Sequence, residues 1–103
     1  MESTSGIRPL FRFRLFVAGQ EPNSLKAISV LTRLLNKDPL KNCCEFQIVD
    51  VLQDYQAAID HRIVAIPSLV IESPPPRRVI VGSLAEEDKL LAALGLAGIG
   101  DER

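Results

Sequence analysis

The chain has 103 residues, 47% of them hydrophobic and 24% charged, with 12 basic residues against 13 acidic ones. A chain of this length supports one modest hydrophobic core. A net charge of −1 argues against nucleic acid as the main partner, because neutralising phosphates requires a surplus of lysine and arginine. No apolar run approaches the roughly 20 residues of a membrane-spanning helix, and the polar start lacks the apolar core of an export signal. These features predict a cytoplasmic domain without a nucleic-acid or membrane partner.

The residues that most often bind metals or carry redox chemistry are few. Cys43 and Cys44 are adjacent, and neighbouring cysteines rarely pair because the small ring is strained. We therefore interpret them as buried or incidental thiols. His61 is the only histidine and has no suitably spaced cysteines or carboxylates around it, so the sequence predicts no metal and no cofactor. Residues 60–62 are predicted to be a solvated helix face.

The first half of the chain has the pattern of a strand, a helix and a second strand. Residues 1–8 are predicted to be a flexible tail. Apolar residues alternate with Arg12 and Arg14 in the strand predicted over residues 10–17. The next segment, residues 18–24, is a loop in which Asn23 or Ser24 can cap a helix that runs to about Asn36. The apolar face of that helix is predicted to consist of Leu25, Ile28, Leu31, Leu34 and Leu35. A strand over residues 46–52 follows, and a helical crossover favours parallel, right-handed pairing.

The second half completes a βαβαββα order. Its predicted elements are a helix over residues 54–63, a strand over 64–71, a proline turn at 74–76, a strand over 78–81 that closes at Gly82, and a helix over 84–94 capped by Ser83. That order is the thioredoxin-like one. We expect a single domain over residues 9–97 and a short flexible tail over residues 98–103.

Four segments in register resemble the KaiB family. They are residues 15–24 (LFVAGQEPNS), 48–52 (IVDVL), 64–69 (VAIPSL) and 74–82 (PPPRRVIVG) followed by Leu84. Each segment is a weak signal, but the four together cover residues 10 to 96 in a consistent order. The resemblance implies a non-enzymatic regulatory protein that binds the N-terminal ATPase ring of a KaiC-type protein and modulates its phosphorylation and ATPase cycle. In complete clocks it also implies capture of a KaiA-like protein.

The family resemblance also implies two folds for one sequence. One is a homotetrameric ground state with the order βαββααβ, and the other is a thioredoxin-like monomer that binds KaiC. Ungapped comparison places Ala93 and Gly95 where clock members of the family carry glycine and aspartate, and Phe11 replaces a usual tyrosine. Alanine favours helix over glycine by about 1 kcal/mol. We therefore expect these three positions to control the fold switch and to favour the thioredoxin-like form.

The resemblance and the charge pattern single out a few partner-binding residues. Arg62 lies where the family has a lysine that contributes to KaiC binding. Arg77 and Arg78 could bind an acidic partner surface or protect a sheet edge against aggregation. Lys26 is a further candidate on the first helix. Pro67 lies where thioredoxin folds have a cis peptide bond, and its simpler interpretation is a proline that starts an edge strand.

Three alternatives to a clock protein remain. The first is a sensor domain like that of the SasA histidine kinase, although the Pro-Asn-Ser loop and the double arginine favour KaiB. The second is a paralogue that serves a non-circadian KaiC, for example in a stress response. The third is a thioredoxin-type oxidoreductase, which would need Cys-x-x-Cys in the loop after the first strand, where residues 19–23 contain no thiol. Ser24 has no acid–base partners in the sequence that would make it a nucleophile.

Overall fold

The computed structural model describes residues 11–37, 40–41, 43–82, 90 and 92. The elements along this part of the chain are β1 (Phe11–Val17), α1 (Pro22–Leu35), β2 (Cys44–Asp50), α2 (Tyr55–Asp60), β3 (Ser68–Ser73) and β4 (Arg78–Val81). This order agrees with the predicted βαβαββ series. The predicted final helix over residues 84–94, its cap Ser83 and both tails lie wholly or mostly outside the described residues.

The four strands form one mixed sheet in the order β2-β1-β3-β4. β1 pairs with β2 in parallel and with β3 antiparallel, and β4 pairs antiparallel with β3. The parallel β1–β2 pair confirms the predicted crossover through α1. β3 is an interior strand, so Pro67 directly before it does not start an edge strand. The turn between β3 and β4 contains the three consecutive prolines, and the peptide bonds before Pro67, Pro74 and Pro76 are cis.

Alternation along β1 divides the core into two clusters on opposite faces of the sheet. The larger cluster contains Phe11, Phe13, Leu15 and Val17 from β1, together with α1 and the buried Leu90. The smaller cluster centres on Phe16, Val49 and Val70 and is covered by Ala57 and Ala58 of α2. With only six residues, α2 covers a small part of its face. Arg12 and Arg14 of β1 and Glu72 of β3 lie on the same face as the smaller cluster.

Three predicted element starts and one predicted helix face need correction. β2 begins at Cys44 rather than at Phe46, and β3 begins at Ser68 because Pro67 has no N–H for the ladder. Helix α1 begins at Pro22, before both predicted caps. Its buried apolar side chains are Ala27, Val30, Leu31 and Leu34, whereas the predicted core residue Leu25 is exposed.

Candidate functional site

The loop after β1, where a thioredoxin carries its reactive thiols, is held to the end of β2 by a backbone hydrogen bond to the carboxylate of Asp50. Gly19 N–H donates to Asp50 Oδ1 at 3.1 Å, and Leu52 N–H donates to the same oxygen at 3.0 Å. Gly19 has φ = +54°, and a Cβ there would lie 3.0 Å from Leu52 Cδ1. The left-handed backbone conformation at this position therefore favours glycine. This loop is hydrogen-bonded to the end of β2, and residues 19–23 contain no thiol.

The helix that follows this loop is capped by Glu21 rather than by Asn23 or Ser24. The Glu21 carboxylate accepts hydrogen bonds from the backbone N–H groups of Asn23 and Ser24, at 3.0 and 2.8 Å. The hydrogen bond from the Ser24 hydroxyl, and then that from Asn23 N–H, lower the pKa of Glu21 below its usual value. Pro22 occupies the first turn, where its missing N–H costs nothing.

Ser24, the last residue of the Pro-Asn-Ser segment, is buried and makes hydrogen bonds on both sides of the loop. Its hydroxyl donates to Glu21 Oε1 at 2.8 Å and accepts from Ala18 N–H at 3.1 Å. Both hydrogen-bonding roles of the hydroxyl are thus used to tie the loop to α1. Helix capping and loop closure explain the motif.

The two cysteines lie at the start of β2, far along the fold from the loop at residues 19–23. Both are free, and the Cys44 thiol donates to Leu40 O at 3.4 Å. Burial, followed by the charge of neighbouring Cys43, raises the pKa of the Cys44 thiol to about 11. Because the thiolate is the reactive form, Cys44 is a poor nucleophile near neutral pH.

The C-terminus of α2 ends in a turn that places Arg62 in the left-handed region. Arg62 has φ = +58°, Ile63 N–H donates to Ala58 O at 2.8 Å, and Arg62 N–H donates to Ile59 O at 3.1 Å. This bond pair defines a Schellman motif, in which the left-handed position is usually glycine. An arginine with positive φ is uncommon, and such positions concentrate at functional sites.

A second predicted partner-binding residue reaches the same turn. Arg77 Nη2 donates to His61 O at 2.7 Å, across the loop before β4. The Arg77 guanidinium therefore lies at the C-terminal end of α2, beside the turn that contains Arg62. Arg78 lies on the edge strand β4, whereas Lys26 is exposed on α1, which packs on the opposite face of the sheet. The four basic candidates do not form a single patch.

His61, predicted to lie on a solvated helix face, is instead half-buried and fully engaged, which corrects that prediction. Its ring packs against Phe16 with a centroid separation of 5.3 Å. Arg14 Nη1 lies 2.8 Å from His61 Nε2, and His61 Nδ1 lies 2.9 Å from Ala57 O. Glu72 Oε2 lies 3.5 Å from both Arg14 Nε and His61 Nε2. No local pattern indicates this cluster, because its members come from β1, α2 and β3.

The outer surface around α2 carries several exposed apolar side chains. Tyr55 and Ile59, one helical turn apart, are 69% and 58% exposed, and their spacing puts them on one helical face. That face points to solvent, since Ala57 and Ala58 cover the core instead. Leu52 before the helix and Val64 after it are 73% and 94% exposed. We call Leu52, Tyr55, Ile59 and Val64, together with Arg62, the α2 surface.

Phe11, predicted to influence the fold switch, is buried in the larger cluster and stacks on Phe13 at 5.9 Å. Ala93 and Gly95, the other two such positions, lie outside the described residues. Within the ranges that the structure describes, no group of three or more histidine, cysteine or acidic side chains could hold a metal ion. The helices in those ranges are all too short or too polar to cross a membrane.

The sheet order, the placement of α1 and α2 on opposite faces and the proline before β3 define a thioredoxin-like domain with a thiol-free loop after its first strand. Solved structures agree on this fold. The N-terminal domain of Synechococcus elongatus SasA superposes with a TM-score of 0.72 at 21% identity, covering 100% of this chain and 96% of that one. A thioredoxin from Malassezia sympodialis gives a TM-score of 0.69 at 21% identity, covering 89% and 80%.

Sequence comparison gives the family. The family model for the KaiB domain matches residues 14–96. The circadian clock oscillator protein KaiB of Thermostichus vulcanus is 37% identical over 98 residues, covering 93% of this chain and 90% of its own. KaiB of a Picosynechococcus strain is 37% identical over 90 residues, covering 87% and 86%. The chain belongs to the KaiB family.

Proposed function

We propose that this chain is a non-enzymatic regulatory protein that binds the N-terminal ATPase ring of a KaiC homologue and modulates its phosphorylation and ATPase cycle. Membership of the KaiB family supports this partner class. The thiol-free loop and the raised pKa of the Cys44 thiol argue against redox catalysis. A cytoplasmic location, and participation of a KaiA-like protein where a complete clock exists, follow from the same proposal.

The observation that carries the proposal is the α2 surface. It combines four exposed apolar side chains with Arg62, which holds an unfavourable left-handed conformation. Protein interfaces are enriched in tyrosine and arginine, and large apolar side chains cost free energy when they stay in water. An arginine kept where glycine would fit better suggests that its side chain is needed at the surface. A protein partner that covers Tyr55 and Ile59 and pairs a carboxylate with Arg62 fits these features.

A pull-down with KaiC homologues from the same genome, with and without ATP, tests the proposal. We expect capture of one homologue and a change in its rate of phosphate release. Ile59→Asn should weaken capture by about tenfold or more, since it removes an exposed apolar anchor at the centre of the α2 surface. Leu25→Asn is the matched control, because Leu25 is also an exposed apolar residue but lies on α1. Equal loss in both variants, or no capture at all, would contradict the proposal.

A sensor domain in two-component signalling is the second candidate function. It is favoured by the likeness to the SasA N-terminal domain, whose TM-score is 0.72. A sensor would bind the catalytic region of a histidine kinase and alter its autophosphorylation. A kinase autophosphorylation assay with and without this chain distinguishes the sensor function from the KaiC-binding function. The pull-down tests the paralogue alternative, because the captured homologue shows whether the partner is a non-circadian KaiC.

We further propose that the thioredoxin-like form, as a monomer, is the populated state. The buried Phe11, without the hydroxyl of the family's usual tyrosine, supports this form because an apolar ring fits the larger cluster. Folds that exchange within one sequence differ by only a few kcal/mol. Helical backbone chemical shifts over residues 84–94 and a monomer on a sizing column are expected. Strand-like shifts with a tetramer would contradict the proposal.

A further inference from the structure

The cluster of Arg14, His61 and Glu72 has fixed donor and acceptor roles. A guanidinium only donates, so at 2.8 Å from Arg14 Nη1 the His61 Nε2 atom must be the acceptor and carry no proton. A backbone carbonyl only accepts, so His61 Nδ1, at 2.9 Å from Ala57 O, must carry the proton. Both contacts require neutral imidazole in its Nδ1–H tautomer. The Nε2–H tautomer, which dominates in free histidine, fits neither contact.

Protonation at Nε2 is incompatible with the contact to Arg14. It would set two donors and two positive charges 2.8 Å apart. Glu72 Oε2, at 3.5 Å from the same nitrogen, is the acceptor available to the new N–H. Glu72 also lies 3.5 Å from Arg14 Nε, so the carboxylate is shared between the two cations. Protonation of His61 at Nε2 would therefore change the hydrogen-bond partner of this nitrogen from Arg14 to Glu72.

We propose that Arg14, His61 and Glu72 form a proton-operated switch that acts on the turn at the end of α2. His61 is the last residue before the left-handed Arg62, and its carbonyl accepts the hydrogen bond from Arg77. Movement of the ring towards Glu72 is transmitted to this turn through the short link between ring and backbone. The side chains of Arg14, His61 and Glu72 are 24–31% exposed, which leaves the ring accessible to solvent protons. Imidazole is the side chain whose ordinary titration falls between pH 5 and 8.

The charged groups around the ring come from several elements. Arg14 faces it from β1, Glu72 from β3 and Arg77 from the loop before β4, while the Phe16 ring covers one side. Asp60 and Arg62 flank His61 in the chain. Arg14 opposes protonation and Glu72 favours it, so the two neighbours act in opposite directions. Any effect of the switch on KaiC binding rests on the proposed function, but the switch belongs to the isolated chain and is tested without a partner.

NMR of the imidazole nitrogens between pH 5 and 8.5 tests the proposal. Above the titration midpoint we expect the Nδ1–H tautomer. The backbone amides of Arg62 and Ile63 should titrate with the same midpoint as the ring. The Nε2–H tautomer at high pH, or turn amides that do not respond, would overturn the proposal.

Two charge-removing variants sharpen this test. Glu72→Gln should move the His61 titration to lower pH and Arg14→Gln to higher pH, because each variant removes a charge that faces the ring. Arg12 and Glu45 form an ion pair of 3.0 Å beside the cluster on the same face of the sheet. Glu45→Gln and Arg12→Gln are therefore matched controls and should leave the titration nearly unchanged. Shifts of the same sign in Glu72→Gln and Arg14→Gln, or equal shifts in the controls, contradict the switch.

Discussion

Arg77 Nη2 donates a 2.7 Å hydrogen bond to the carbonyl oxygen of His61, sixteen positions earlier in the chain. The contact joins the loop before the edge strand β4 to the C-terminal end of α2. The last carbonyls of a helix have no hydrogen-bond partner within the helix. A cation at this end also interacts favourably with the partial negative charge of the helix dipole. Arg77 thus stabilises the turn that contains Arg62, which gives Arg77 a structural role in addition to any contact with a partner.

Arg77→Ala tests that role. We expect faster hydrogen exchange at the amides of Arg62 and Ile63, and a loss of global stability of only about 0.5 kcal/mol because Arg77 is exposed. Lys26→Ala, which removes an exposed cation from α1, should leave exchange at the α2 turn unchanged. The structural role is wrong if Arg77→Ala leaves both amides exchanging at the wild-type rate.

Ser24→Ala removes only one hydroxyl group, but we expect it to lower the stability of the fold markedly. Ser24 is fully buried, and the variant leaves Ala18 N–H without its acceptor. Leaving a buried donor unsatisfied costs about 1–3 kcal/mol. Ser29→Ala, at an exposed position on the same helix, should change stability by less than about 0.5 kcal/mol. Urea denaturation of both variants measures the difference, and equal midpoints would show that the Ser24 hydroxyl adds no stability.

Glu21 gives the fold a pH-dependent contribution in acid. Its pKa is lowered in the folded state, so the stability it adds is fully present above its unfolded pKa of about 4.3 and is lost as pH falls through the folded pKa. The stability gap between wild type and Glu21→Gln should therefore be constant from pH 7 to about pH 5 and narrow below that. Unfolding midpoints in urea at several pH values between 3 and 7 measure the gap. A gap that stays constant down to pH 3 would mean that the carboxylate charge does not matter.

The sequence predicts the strands better than it predicts the contacts between elements. Alternation in residues 11–17 and the proline turn at 74–76 are local signals, and they place β1 and the β3–β4 hairpin correctly. The buried face of α1 is shifted from the predicted one, since the small Ala27 is fully buried whereas Leu25 is 43% exposed. Hydrophobicity favours Leu25 in that comparison, whereas tertiary packing selects Ala27.

The candidate site is less predictable for the same reason. His61 and Arg14 are 47 residues apart in the chain, so only the sheet brings them together. The exposed stripe of Tyr55 and Ile59 has the spacing of a core-facing helix, and periodicity alone cannot tell a face that meets the core from one that meets a partner. The left-handed conformation of Arg62 also has no sequence signal, since glycine is the residue that would have indicated it.

Cys44 should be slow to react in the folded chain. With its thiol pKa raised to about 11, the thiolate fraction near pH 7 is on the order of 10⁻⁴. In a Cys43→Ser background, burial, the larger cause, still raises the pKa of the Cys44 thiol. Iodoacetamide should therefore alkylate native Cys44 about one to two orders of magnitude more slowly than it alkylates the same thiol in urea, where the pKa returns to about 8.5. Mass spectrometry over time gives both rates. Comparable rates in the native and unfolded chains would revive the oxidoreductase alternative, which an insulin-reduction assay would then examine.

Arg62→Gly separates stability from binding at the α2 surface. At φ = +58° the Cβ of an L-residue costs about 1–2 kcal/mol, and glycine avoids this cost. The more flexible unfolded chain of the glycine variant offsets roughly 0.5–1 kcal/mol of that gain in stability. The variant should therefore be as stable as wild type or more stable by up to about 1 kcal/mol, while KaiC capture falls because the guanidinium is lost. Arg62→Ala removes the same charge but keeps the strain, so it should lose binding without gaining stability. Thermal unfolding and the pull-down, run on both variants, distinguish the two effects. A glycine variant that binds as well as wild type would show that Arg62 serves the turn rather than the partner.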